Sequence, residues 1–176
     1  MCIRDRDYDW ASDFPVGSSI IDISAQDQNG MVQTFDGLVG EKGLLFMLSR
    51  SFDWWPFCKS QLVQLAEVSD RFKTMGVNIA AMTYDSVEIL KSVEEDEGIS
   101  FSLLRDAGIT HVNALGILNE DYEPDSRAYG VPHPGMFLIT PDGVIRHKFA
   151  EEGYRIRPDL GNVLEAAANL WSLVHN

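Results

Sequence analysis

Hydrophobic positions along this chain follow two rhythms. Leu44-Leu45-Phe46-Met47-Leu48 is a short, continuously apolar run bounded by Gly43 and Ser49, the pattern of a strand buried on both faces. Val77 to Thr83 repeats that pattern. Between the two, Leu62, Leu65, Val68, Phe72 and Met75 recur at three- and four-residue steps, which predicts an amphipathic helix ending near Gly76. Upstream, Gly30 separates Ile20-Ile21-Asp22-Ile23 from Met31-Val32-Gln33-Thr34-Phe35, an alternation that predicts a half-buried hairpin. Downstream come a helix from Ser86 to about Glu97, a short strand over 100–104, and an irregular stretch over 105–133 with room for one or two short helices. Pro141-Asp142-Gly143 is a strong turn between Met136–Ile139 and Val144–Phe149, hence a second hairpin. Arg157-Pro158-Asp159 then opens a last helix, in which Leu160, Val163, Leu164, Ala167, Leu170, Trp171 and Val174 keep helical spacing.

Strands alternating with helices and closing on a hairpin and a helix predict an α/β three-layer sandwich, a central mixed β-sheet flanked by helices, with the first hairpin as an N-terminal extension. The start, Met1-Cys2-Ile3-Arg4-Asp5-Arg6, is unlike the globular sequence after it. Residues 1–13 are therefore expected to be a flexible or non-native segment, and residues 14–176 one domain.

The chain has 176 residues, 45% of them hydrophobic and 10% aromatic, enough for a substantial core. Asp and Glu number 27 against 14 Lys and Arg, a net charge of −13 that repels nucleic acid and anionic membranes. No stretch has the length of a membrane span, and the charged N-terminus lacks the apolar core of a signal peptide. A cytoplasmic location is expected, or an envelope one if a leader precedes this sequence. The run Glu94-Glu95-Asp96-Glu97 reads as a solvated face, because four adjacent acids cannot all point at one ion. His111, His133, His147 and His175 are scattered without ligand spacing, so neither a metal nor another cofactor is expected.

The candidate chemistry lies in Asp53-Trp54-Trp55-Pro56-Phe57-Cys58-Lys59, a strand-to-helix turn. Pro56 suits the first helical position, where its missing N–H costs nothing, and this puts Cys58 in the opening turn. The positive end of a helix favours a thiolate there. Cys58 also precedes Leu62 by four residues and Leu65 by seven, on the stripe that faces the sheet. Burial there favours the neutral thiol and shields it from oxidants. The sequence leaves that balance open.

Trp54-x-Pro56-x-Cys58-Lys59 after a buried strand, with Pro134-Gly135-Met136-Phe137-Leu138-Ile139-x-x-Asp142-Gly143 later, resembles the thioredoxin superfamily. Within it the chain is similar to the alkyl hydroperoxide reductase/thiol-specific antioxidant group, whose members often carry Trp-Cys-Pro-Tyr/Phe-Cys-Lys here. The resemblance implies a thioredoxin-like sandwich and an active-site motif of Trp54, Trp55, Pro56, Phe57, Cys58 and Lys59. It likens Tyr129–Pro134 to the loop that presents a cis-proline beside the thiol, with His133 and Pro134 as its site residues and Pro132 as the alternative proline. A trans proline bounding a strand is the plainer reading.

Against that family the chain departs at several places. Trp55 stands where the first, nucleophilic cysteine of the pair is usual, which removes disulfide exchange within the motif. In the peroxiredoxin branch the peroxidatic cysteine takes the second position, which Cys58 fills. That branch places Thr or Ser three residues before the cysteine, Pro seven before it and Arg just ahead of the strand over 136–139. This sequence has Trp55, Ser51 and Pro134 there. Arg50, Arg127, Arg146 and Ser51 are candidate substitutes that spacing does not separate.

The resemblance implies a peroxiredoxin-like thiol oxidoreductase. Cys58 would reduce a peroxide and be recycled by an external thiol, glutathione or a thioredoxin-like protein. The alternatives are a redox-silent thioredoxin-fold binding module with a structural, buried Cys58, and a monothiol adaptor that forms mixed disulfides without turnover. The partners expected are a peroxide or thiol substrate and the reductant, with no nucleic acid and no membrane, and a homodimer left open.

Overall fold

The computed structural model describes residues 9–151 and 158–170. Its order is β1 (Ser24–Gln26), β2 (Val32–Thr34), α1 (Phe35–Leu38), β3 (Gly43–Leu48), α2 (Pro56–Glu67), α3 (Ser69–Thr74), β4 (Val77–Thr83), α4 (Val87–Glu97), β5 (Ser102–Arg105), a 3₁₀ turn (Ala107–Ile109), α5 (Thr110–Leu115), β6 (Gly135–Ile139), β7 (Ile145–Phe149) and α6 (Leu160–Ala168). Five strands form one sheet in the order β5-β4-β3-β6-β7. β3 lies parallel to β4 and β4 to β5, while β6 and β7 run antiparallel.

β3 occupies the centre of this sheet because every one of its side chains is apolar, and all six residues are buried. Leu45 and Met47 point into a core shared with α2, α3, α4 and α6. Leu44, Phe46 and Leu48 point into a second core under the β1–β2 hairpin, α1 and α5. Two cores on opposite faces of a mixed sheet are the thioredoxin-like three-layer arrangement. Ser86 caps α4 by accepting the Ile89 N–H at 3.3 Å, and Gly98 ends it in the left-handed conformation. No helix among the described residues is long and apolar enough to cross a membrane.

Four expectations need adjustment. The single helix expected from Pro56 to Gly76 is broken at Val68 into α2 and α3, where the Ser69 hydroxyl bonds back to the Ala66 carbonyl at 2.8 Å. In the first hairpin the leading strand is Ser24–Gln26 rather than Ile20–Ile23. The Asp27 carboxylate accepts the N–H groups of Asn29 and Met31 at 2.8 and 3.0 Å, and this turn sets the register Ser24 to Thr34. The 100–104 strand is shifted to Ser102–Arg105. The segment expected to be flexible lies outside the described residues over 1–8, and its end is corrected. Trp10 and Ala11 are 4% exposed, with Trp10 packed on Phe137 at 4.6 Å between ring centroids and its indole N–H donated to the His133 carbonyl at 2.7 Å. An indole covering the sheet buries more apolar surface than a free tail could. Trp171 and Val174 of the last helix, and Arg157 before it, also lie outside the described residues.

Candidate active site

Three strand ends converge where the parallel strands finish. β3 runs into Ser49-Arg50-Ser51, β4 into Tyr84-Asp85, and the loop ahead of β6 brings in His133 and Pro134. Convergence of polar groups outside the carboxyl ends of parallel strands is a usual place for a site in this architecture.

Cys58 is the third residue of α2. Trp55 is the extended residue before the helix, Pro56 its first position, and the Trp55 carbonyl accepts the N–H groups of Cys58 and Lys59 at 3.1 and 3.2 Å. Cys58 is in the opening turn, and with Leu62 and Leu65 it lies on the buried stripe, fully closed to solvent at 0% exposure. The sulfur accepts the backbone N–H of Arg50 at 3.3 Å. The sulfur lies in the same buried apolar cluster as Leu45, Met47 and Phe52.

Arg50 is the residue that gathers the site, and it is itself 3% exposed. Its guanidinium carbon lies 4.5 Å from the Trp55 ring centroid, and its Nη1 donates to the Tyr122 hydroxyl at 3.2 Å. Trp55 meets Tyr122 edge to face at 6.5 Å, so guanidinium, indole and phenol form one contact group at the entry to α2. His133 stands near the same cation. Burial first, and the Arg50 charge second, push its imidazole below the ordinary value, with Asp121 and Glu120 opposing. His133 therefore favours the neutral ring.

Trp54 faces outward from Trp55, with their rings edge to face at 4.9 Å. Its indole N–H donates to the Tyr84 hydroxyl at 3.0 Å, which donates in turn to the Arg127 carbonyl at 2.7 Å. The Arg127 guanidinium lies 4.6 Å from the Trp54 ring. Burial pushes the Tyr84 phenol above its ordinary value, against the hydrogen bond from Trp54. Phe57 is 40% exposed, and Lys59 pairs with Glu97 at 3.5 Å at the surface, so these two motif residues point away from the sulfur's pocket.

The proline loop departs from expectation. No peptide bond among the described residues is cis, so the bonds into Pro132 and Pro134 are trans. The trans form is the ground state of an X-Pro bond, and the flanking backbone is held in it. The His133 N–H bonds to the Ile117 carbonyl at 2.7 Å, the His133 carbonyl accepts Trp10, and Pro132 bridges to Leu118. Among the substitutes that spacing could not separate, Arg50 and Ser51 are at the site, Arg127 is at its rim on Trp54, and Arg146 is on β7. Sequence reasoning missed Tyr84, Asp85 and Tyr122. For the first two a signal existed, since they directly follow a strand parallel to β3. Tyr122 had none.

Residues 16–148 match the AhpC/TSA family. The chain belongs to that family. Among curated relatives of this AhpC/TSA protein, Peroxiredoxin 2 of Sulfuracidifex metallicus is 29% identical over 123 residues, 66% of this chain and 54% of the relative. The selenocysteine-containing peroxiredoxin PrxU of Peptoclostridium acidaminophilum is 32% identical over 94 residues, covering 49% and 43%. Peroxiredoxin Bcp of Escherichia coli K12 is 28% identical over 126 residues, covering 72% and 79%. The chain spans about half the length of the first two. In fold the AhpC/TSA chain is similar to a Cys-to-Ser variant of Peroxiredoxin 6 of Arenicola marina, with a TM-score of 0.80 at 18% identity over 93% of this chain and 76% of the other. Peroxidoxin BcpB of Mycobacterium tuberculosis gives 0.74 at 16% identity over 91% and 98%.

Proposed function

We propose that this AhpC/TSA protein is a thiol peroxidase that works through Cys58 alone and is recycled by an external thiol. The Cys58 thiolate attacks the terminal oxygen of a hydroperoxide. An S–O bond forms as the O–O bond breaks, two electrons pass from sulfur to oxygen, and the leaving alkoxide or hydroxide takes up a proton. The sulfenic acid is attacked by a first small or protein thiol, which expels water and leaves a mixed disulfide. A second thiol releases Cys58.

The observation that carries this reading is the Arg50 N–H donated to Cys58 Sγ at 3.3 Å in the opening turn of α2, with the Arg50 guanidinium stacked on Trp55, the residue before that turn. Arg50 thereby supplies, from the end of β3, a cation and an aimed N–H where the family's hydroxyl and arginine positions hold Trp55 and Pro134. Charge stabilisation of a polarised peroxide is the kind of work such groups do in a water-poor pocket. With Cys58 fully buried, reaction requires the residues packed over it to move aside.

The same burial favours a second reading, in which Cys58 is a small core residue of a redox-silent binding module. The two separate in one experiment. The protein and its Cys58→Ser variant are mixed with hydrogen peroxide, sulfenic acid is trapped with a dimedone-type reagent, and the modified peptide is quantified against time. The peroxidase reading expects modification of Cys58 at least about a hundred-fold faster than of a free cysteine at the same pH. Reaction no faster than free cysteine's eliminates it and leaves the silent module.

A further inference from the structure

We propose that Asp85 is a positioning residue for Cys58, acting through Ser51 to hold the 51–55 segment closed over the sulfur. The proposal rests on the reading of Cys58 as a reacting thiol only for its effect on rate. Its geometry stands independently.

Asp85 follows β4 and is 4% exposed, a buried carboxylate outside the thiol pocket that the chemistry above does not use. Two of the bonds it accepts tie the end of β4 to the segment ahead of α2, and a third holds it to Thr83 of its own strand. Oδ1 accepts the Ser51 hydroxyl at 2.8 Å, and Oδ2 accepts the Phe52 N–H and the Thr83 hydroxyl, both at 2.8 Å. The Thr83 hydroxyl oxygen accepts the Asp85 N–H at 3.1 Å, which fixes the carboxylate to its own strand end. Ser51 passes the constraint on. Its oxygen accepts the Asp53 N–H at 3.1 Å and the Trp54 N–H at 3.4 Å. Three successive backbone N–H groups, those of Phe52, Asp53 and Trp54, are thus organised by one carboxylate directly or through one hydroxyl. The next residue is Trp55, which packs against the buried cluster that contains Cys58. Arg50, whose N–H meets the sulfur, immediately precedes Ser51.

Ser51 sits seven residues before Cys58, where the resemblance placed a proline. A proline fixes such a segment by its ring. Here a hydroxyl buried against a carboxyl group does it with hydrogen bonds. A segment restrained by bonds that can break is one that can open, which the full burial of Cys58 demands of any reaction at that sulfur.

The test measures iodoacetamide alkylation of Cys58 in the 176-residue chain by peptide mass spectrometry, together with sulfenic acid formation by hydrogen peroxide. Ser51→Ala and Asp85→Asn are each expected to raise the alkylation rate about ten-fold. The double variant should add little to either, because both act along one path. Ser51→Thr, which keeps the hydroxyl, should return the wild-type rate. The raised rates should stay flat across sub-denaturing urea, which marks local opening rather than global unfolding. A folded Ser51→Ala with the wild-type alkylation rate overturns the proposal. So do single effects that multiply in the double variant, or rates that climb with urea along the global unfolding slope. Where Asp85→Asn fails to fold, the Ser51→Ala and Ser51→Thr pair decides. If wild-type Cys58 forms no sulfenic acid while the variants open the segment, the peroxidase reading fails and the positioning role stands.

Discussion

The Arg50 guanidinium lies 4.5 Å from the centre of the Trp55 ring, and the backbone N–H of Arg50 donates to the Cys58 sulfur. The residue that donates to the sulfur is therefore also the one that stacks on Trp55. Trp55→Ala should expose Cys58 and release the Arg50 side chain at once. The expected result is an alkylation rate of Cys58 raised at least about ten-fold, with a loss of about 2 kcal/mol of stability for a half-buried indole. Alkylation kinetics and urea denaturation on the same sample measure both.

Trp55→Cys places a second thiol at the residue preceding α2, three positions before Cys58. That spacing at a helix start forms a redox-active pair in thioredoxin-like proteins. The variant should reduce a generic disulfide substrate in the presence of dithiothreitol, whereas the parent chain should not. A folded but inactive variant would mean that Tyr122 and Arg50 still block the approach to the pair.

Stability should fall as pH drops below neutral. Burial and Arg50 hold the His133 imidazole below its ordinary value, and burial does the same to His147. Unfolding restores the ordinary value near 6.5, so in this range the unfolded chain binds more protons than the folded one. The contribution is complete above about pH 6.5 and is lost as pH falls toward the depressed folded values. Asp106 acts in a separate window. Burial raises its carboxyl, but hydrogen bonds from the His111 ring and the His111 and Val112 N–H groups outweigh that, so its contribution is lost only below the ordinary carboxylate range. Melting temperatures at pH 7.5 and 5.5 should differ less in His133→Gln than in the parent.

Gly135→Ala should destabilise the fold by about 1–3 kcal/mol. A Cβ at Gly135 would stand 2.7 Å from the Trp10 ring, and Trp10 is pinned between Phe137 and the His133 carbonyl. The indole must shift, so the tryptophan emission should change along with the urea midpoint. An unchanged midpoint would mean that the segment around Trp10 is not a working part of the core.

The sheet was legible because β3 and β6 are wholly apolar, β4 nearly so, and its turns carry Gly, Pro and Asp. The helix break at Val68 was not, since Val68 satisfies the helical period and the break depends on the Ser69 hydroxyl finding the Ala66 carbonyl. Cys58 could be placed on a buried stripe in an opening turn from local spacing alone. What covers it could not, because Tyr122 and His133 reach the site from more than sixty residues away in sequence. Arg50 and Ser51 were visible as candidates, but four residues competed equally until parallel pairing of Leu48 with Met82 brought the ends of β3 and β4 side by side. Trp10 escaped because the opening residues read as foreign, and a single buried indole leaves no periodic signature.

The pairing of β3 with β6 also has a consequence in time. Leu48 meets Gly135 across a strand pair whose second member leaves the ribosome long after the first. Residues 43–83 can collapse around α2 while Tyr122, His133 and β6 are still being synthesised. During that interval the thiol has its helix and its Arg50 donor but lacks the distal wall. Shelter of Cys58 from adventitious oxidants is therefore a late acquisition of biosynthesis, complete only when the C-terminal third docks onto the central strand.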